Sequence, residues 1–355
     1  MPIPDPRGSL RALGWSSFFS RQLASFDPSL TPARVVAEYG STFVVRTADD
    51  ELTVKTAGRL RVDAGRLPAA GDWVLLRDAC IMALLEPRTA LQRKGAGRTS
   101  DLQVLAANVD LVLIVTSANR DLNPRRIERY LVAASRGGAD ARVLISKGDL
   151  PDDPAPLLQR ARAAANGAPV HAFSALEGWG LDAIRRWIPP ETTAVLVGSS
   201  GVGKSTLLNA LLGRQEQDVK AARDDDDRGR HTTTARRMLP LPEGGWLLDT
   251  PGMRELALPG GEDLGGVFDD VDSVARRCRF RDCRHEGEPG CAVEQAIDAG
   301  DLDADRVEGW ARLAREDEYQ QRRKDEMARR DQKVRQVKRT RANRVAMLAR
   351  ERERW

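Results

Sequence analysis

The sequence has no apolar run near the ~18 residues that a membrane-spanning helix needs, which argues against an α-helical membrane protein. Its opening residues, MPIPDPRGSLRALGW, hold no long apolar segment of the secretory kind. The expected location is therefore the cytoplasm, with no membrane partner. Cysteine is scarce, with four residues in 355, and in a chain without an export signal this argues against a disulfide framework. There is no internal repeat, so a repeat array is not expected. No heptad seam supports a coiled-coil dimer, and a monomer is expected. Net charge is only +4, so any charged partner has to be argued from local patches.

What is present suits a globular protein. Hydrophobic residues make up 41% and charged residues 30%, and 355 residues suffice for two or three domains. Charge is concentrated near the C-terminus. Between Arg322 and Arg344 there are eleven Lys or Arg against three Asp or Glu, a density that fits either nucleic-acid contact or a solvated, charge-laced helix. Three of the cysteines, Cys278, Cys283 and Cys291, lie within fourteen residues, which suggests a metal site. The fourth, Cys80 in CIMALL, is expected to be a buried core thiol.

Patterning divides the chain into three regions. Residues 33–87 read as five short strands (RVVAEY, TFVVRT, ELTVKT, DWVLLR and CIMALLE) and predict a small all-β module of OB type. From Asp110 the pattern alternates. LVLIVTS (111–117), ARVLIS (141–146), PVHAFS (169–174), TTAVLVG (192–198) and WLLDT (246–250) are buried-strand runs, separated by helical segments such as the one from Pro124. This is the βαβ signature of a doubly wound α/β sheet. Beyond residue 256 the pattern is mostly helical. The expected divisions are 1–100, 101–257 and 258–355.

Gly198-Ser199-Ser200-Gly201-Val202-Gly203-Lys204-Ser205, followed by Thr206, fits GxxxxGK[ST] between a buried strand and a helix. Such glycines let consecutive N–H groups face phosphates at a helix N-terminus. Lys204 would reach the β- and γ-phosphates, and the Ser205 hydroxyl would bind Mg²⁺. Asp249-Thr-Pro-Gly252 follows the strand WLLD. Its aspartate would hold Mg²⁺ and the Gly252 N–H would sense the γ-phosphate. Between them lies Gly229-Arg-His231-Thr232-Thr233-Thr234, where Thr232 or Thr233 could cap the metal and phosphate. The adjacent run Asp224–Asp227 is expected to be a self-repelling loop.

Base identity rests on Ser146-Lys147-Gly148-Asp149, which resembles the NKxD motif of GTPases with serine in place of asparagine. Asp149 could accept from guanine N1 and N2, and the Lys147 stem could lie over the base. Ser174-Ala175 resembles the SA motif that reads the guanine O6. The shorter Ser146 weakens the expected anchoring of the loop. Ordinary GTPases run P-loop, switch threonine, DxxG, NKxD, SA, whereas here the base motifs come first. The order is circularly permuted.

The permuted order, GSSGVGKSTLLN, GRHTTT, DTPGMRE and the downstream Cys/His cluster closely resemble the ribosome small subunit-dependent GTPase A family. The resemblance implies an N-terminal OB-type β-barrel, a central permuted P-loop GTPase and a C-terminal, mostly helical zinc domain. It also implies GTP hydrolysis to GDP, stimulated by the 30S subunit with its 16S rRNA, late in that subunit's maturation. Cys278-x4-Cys283-x-His285-x5-Cys291 offers three thiolates and an imidazole, which suits one structural Zn²⁺ per chain; a metal-free thiol core is the alternative. The position after Gly252 is Met253, which cannot orient water. His231 could do so, or could be only a solvated loop side chain. Arg88, Arg93, Lys94 and Arg98, with the C-terminal basic block, could neutralise rRNA phosphates. Two other readings stay open, a nucleotide-gated rRNA-binding scaffold with negligible hydrolysis and a P-loop kinase or ATPase.

Overall fold

The computed structural model describes residues 10–58, 60, 65–94, 102–118, 122–150, 154–216, 236–249, 267–315, 318 and 322. Five strands form the N-terminal module: β1 (Thr31–Tyr39), β2 (Thr42–Arg46), β3 (Glu51–Thr56), β4 (Trp73–Arg77) and β5 (Cys80–Leu84). They hydrogen-bond in the order β1-β2-β3-β5-β4, and β4 pairs back onto β1, so the barrel closes without a free edge. The two-residue side-chain period sorts the faces. Val74 and Leu76 point into a core with Val35, Phe43, Val54 and Ile81. Trp73 faces the opposite way and meets Trp15 edge-on, with centroids 4.6 Å apart, and Phe19 of helix α1 (Ser17–Leu23). Cys80 corrects an expectation: it is half-buried, because it starts β5 directly after the exposed turn at Asp78, whose φ is 54°.

A hairpin, β6 (Ala90–Lys94) and β7 (Leu102–Ala107), leads out of the barrel. Buried Arg34 fixes this junction. Its guanidinium donates to the carbonyls of Leu13, Gly71 and Asn108, so it joins the N-terminal segment, the barrel and the hairpin exit. Burial lowers its pKa to about 10, still well above neutrality, so the charge persists. Gly71 is required here: its φ is +92°, and a Cβ would lie 2.0 Å from the Ala107 carbonyl oxygen.

The α/β unit follows, with β8 (Leu111–Ser117), α2 (Pro124–Arg136), β9 (Asp140–Ser146), α3 (Ala155–Ala165), β10 (Val170–Ala172), α4 (Leu181–Arg186), β11 (Thr193–Val197), α5 (Lys204–Leu212), β12 (Arg236–Pro240) and β13 (Trp246–Asp249). Strands β10-β9-β8-β11-β13 are parallel, and their near-continuous burial explains the unbroken apolar runs in the sequence. Antiparallel β12 then bridges β13 to β1, with Arg236 paired to Glu38 at 2.9 Å. Barrel and α/β unit therefore share one eleven-stranded sheet. None of the described helices is long and apolar enough to cross a membrane.

The C-terminal part is helical, with α6 (Asp269–Ala275), α7 (Ala292–Asp298) and α8 (304–315). It docks on α2 through Glu128, whose side chain is 5% exposed and sits 3.4 Å from Arg306. Burial pushes the Glu128 carboxyl up from the usual 4.5 to about 7, against the pull of Arg306 and Arg125. Between those two values the folded chain holds a proton that the unfolded chain has released. This group's contribution to stability therefore falls as pH rises through that window and is level above it. Glu128→Gln should remove this slope. In denaturant unfolding, the wild type should lose about 1–3 kcal/mol more than the variant between pH 5 and pH 8. Equal losses would contradict the assignment.

Candidate functional site

In parallel α/β sheets ligands sit beyond the carboxyl ends of the strands. Here those ends are Ser117, Ser146, the segment after Ala172, Gly198 after β11, and Asp249. SKGD, the Ser174-Ala175 pair, the glycine-rich loop and Asp249 thus gather at one rim, although the chain visits them in permuted order.

The phosphate loop is shaped by its glycines. Gly198, Gly201 and Gly203 have φ of 144°, 78° and 94°, values that side chains rarely adopt. A Cβ on Gly198 would lie 2.2 Å from the Val115 carbonyl oxygen, so the first turn packs directly on β8. Gly203 is the N-cap of α5, and the half-buried Lys204, Ser205 and Thr206 occupy its first turn. Val202 is buried in the apolar layer with Leu207 and Leu208. The Lys204 ammonium donates to the carbonyls of Gly198, at 2.8 Å, and Ser199. Ser200 and Gly201 are exposed at the tip. Asp249 ends β13, half-buried, with Arg237 as its register partner on β12.

The loops expected to read the base meet this loop. The Ser146 hydroxyl is buried and lies within hydrogen-bond reach of the Val202 and Thr116 carbonyls. It therefore anchors the loop despite its short reach. Lys147 is left-handed (φ 55°), and its ammonium donates to the Gly201 carbonyl at 3.1 Å. Gly148 N–H donates to the Phe173 carbonyl, tying SKGD to the segment after β10 that carries Ser174. Ser174 is buried; its N–H donates to the Trp179 carbonyl and its hydroxyl accepts from Glu177 N–H. Asp149 is exposed and Ala175 half-buried at the rim. His231, Thr232, Thr233 and Gly252 lie outside the described residues.

Two residues that motif reading passed over touch this site. Trp179 covers Gly148, where a Cβ would come 2.7 Å from the indole ring. Arg126, in the first turn of α2, donates to the Ser199 hydroxyl. Neither carries a sequence signal of its own, because both contacts are tertiary.

The Cys/His set forms a second centre. One ligand atom each from Cys278, Cys283, His285 and Cys291 lies within 4.8 Å of the others, near the ~3.8 Å edges of a tetrahedral Zn²⁺ site with Zn–S bonds of about 2.3 Å. His285 presents Nδ1, at 3.5 Å from Cys278 Sγ and 3.3 Å from Cys291 Sγ, and its ring packs on Trp310 of α8. The cluster could hold a metal ion that pins the loop 278–291 onto the helices. Of the candidate RNA contacts, Arg88 is ion-paired with Asp110.

Residues 84–259 match the RsgA GTPase family. A relative from Xanthomonas axonopodis pv. citri (strain 306), named small ribosomal subunit biogenesis GTPase RsgA, is 44% identical over 323 residues, covering 87% of this chain and 88% of the relative. A relative of the same name from Xanthomonas oryzae pv. oryzae (strain PXO99A) is 43% identical, covering 88% and 85%. The crystal structure of YjeQ from Thermotoga maritima superposes with a TM-score of 0.61 at 25% identity, covering 81% of this chain and 98% of that one. That of YloQ, described as a circularly permuted GTPase, gives 0.56 at 22% identity, covering 84% and 96%.

The packing of Trp179 on Gly148 makes a specific demand. Gly148→Ala must push the indole away and shift the loop carrying Lys147 and Asp149. Affinity for GDP should fall by about tenfold, a loss of ~1.4 kcal/mol, with little change in thermal unfolding. Wild-type affinity by calorimetry would contradict the role given to this loop.

Proposed function

The chain belongs to the RsgA GTPase family, and from that premise we propose that it is a ribosome-activated GTPase. It binds the 30S subunit through 16S rRNA in the cytoplasm, assists late maturation and hydrolyses GTP to GDP and phosphate. The observation that carries this reading is the tie between base loop and phosphate loop, Ser146 to Val202 and Lys147 to Gly201. We divide the chain into an N-terminal barrel region (1–100), the GTPase (101–257) and a zinc-bearing helical region (258–355).

In this reading Asp149 accepts from guanine N1 and N2, and Ala175 N–H donates to O6, since Ser174 N–H is already taken by Trp179. The loop from Gly198 to Ser205 wraps the phosphates. Lys204 leaves the carbonyls of Gly198 and Ser199 for the β- and γ-phosphates. Ser205 and Asp249 would hold Mg²⁺, and the ion would supply positive charge against the phosphate oxygens. Thr232 or Thr233 closes over the γ-phosphate with Gly252, and His231 orients the attacking water in place of the missing glutamine. Cys278, Cys283, His285 and Cys291 would hold one structural Zn²⁺. Phosphate contacts from the basic block after Arg322 make the association salt-sensitive.

GTP turnover measured with and without 30S subunits tests the reading. Turnover should be slow alone and rise at least about tenfold with subunits, ~1.4 kcal/mol off the barrier. His231→Ala should lose most of that stimulation while binding GDP normally. Turnover indifferent to subunits would favour the scaffold alternative. Metal analysis should find one zinc per chain, and its removal by chelation should loosen residues 278–291 before the barrel unfolds; metal-free chains of unchanged stability would refute the zinc assignment.

A further inference from the structure

The first turn of α2 touches two places at once. Asn123 caps it by accepting from Arg126 N–H at 3.2 Å, and Pro124 fixes its first position, so the turn is rigid. Arg125 and Glu128, three residues apart, share one helical face. On that face Arg125 pairs with Glu308 and Glu128 with Arg306, both on α8. α8 presses close: a Cβ on Gly309 would lie 2.7 Å from Glu128 Oε2. Arg306 is itself held by both oxygens of Asp270, by the Val267 carbonyl at 2.7 Å and by the Phe268 ring, 4.8 Å below it. Arg126, about 100° round the helix from Arg125, points instead to the phosphate loop and donates to the Ser199 hydroxyl.

Ser199 is thus gripped by two cations, Lys204 at its carbonyl and Arg126 at its hydroxyl. When phosphates enter, Lys204 has to leave for them. The Arg126 contact at Ser199 is free to stay, beside the ties of Ser146 to Val202 and Lys147 to Gly201 elsewhere in the loop. We propose that Arg126 is a positioning residue of the phosphate loop, and that α2 is the strut through which nucleotide occupancy reaches the C-terminal helix α8. The inference rests on the guanine-nucleotide reading above. Coupling of this kind can travel through a continuous set of packed groups. The chain Ser199–Arg126–α2–Glu128–Arg306 supplies one.

Hydrogen–deuterium exchange on the full chain, with GDP occupancy established by calorimetry, tests the strut. Saturating GDP should slow exchange at amides of 304–315 by about fivefold or more in the wild type, the lower end of ordinary coupling between sites. In Arg126→Met, at a GDP concentration giving full occupancy, that protection should vanish while 204–212 remains protected. Glu128→Ala, which removes the contact with Arg306 and leaves Arg126 and Ser199 in place, should lose it as well. A purely structural Arg126 would lower stability and leave the nucleotide-dependent protection of α8 in place. Binding without protection of α8 in the wild type, or equal protection in Arg126→Met, overturns the proposal. Absence of GDP binding by the wild type contradicts the nucleotide reading itself, and the proposal falls with it.

Discussion

The nucleotide site depends on one buried hydroxyl. Ser146 ends β9, yet its Oγ reaches the Thr116 carbonyl on β8 and the Val202 carbonyl in the phosphate loop. These partners are 30 and 56 residues away in the chain. A hydroxyl has a single proton to donate, so the two carbonyls share it, and losing it would strand a buried acceptor at a cost of about 1–3 kcal/mol. This tie shows why permutation is harmless. The site needs the ends of β8, β9 and β11 side by side, and the parallel registers supply that whichever strand comes first.

The α/β unit is braced from both sides. On one, β12 continues the sheet into the barrel, while Arg34 bonds three carbonyls from three segments. On the other, Arg306 and the Cys/His centre, through Trp310, seat the helices on α2. Each brace uses a buried or half-buried cation with several acceptors, the arrangement in which a buried charge is tolerated.

Much of this was legible in the sequence because the signals are local. Five barrel strands, the buried runs at 111–117 and 141–146, and the helix from Pro124 all follow from periodicity and caps. The motif residues follow from chemistry at fixed spacing. The rest was not legible because it is tertiary. Nothing in RRMLP says that β12 joins two sheets. Nothing marks Trp179 as the cover of Gly148 or Arg126 as a partner of Ser199. Cys80 read as core because its neighbours are apolar, but a turn at Asp78 lifts it to the rim. Ser146 looked like a weakened asparagine; in the fold the loop comes close enough for a hydroxyl to reach. His231, Thr232, Thr233 and Gly252, expected to act as switch residues, lie outside the described residues, and that expectation follows from motif order.

Competition between GTP and ATP for the chain loaded with labelled GDP tests the central claim most directly, because it asks whether the loops brought together by the permuted sheet read guanine. A site that hydrogen-bonds the base through Asp149 rejects adenine strongly, and GTP should displace the label at concentrations lower than ATP by about two orders of magnitude or more. Displacement by ATP at comparable concentrations would contradict the account.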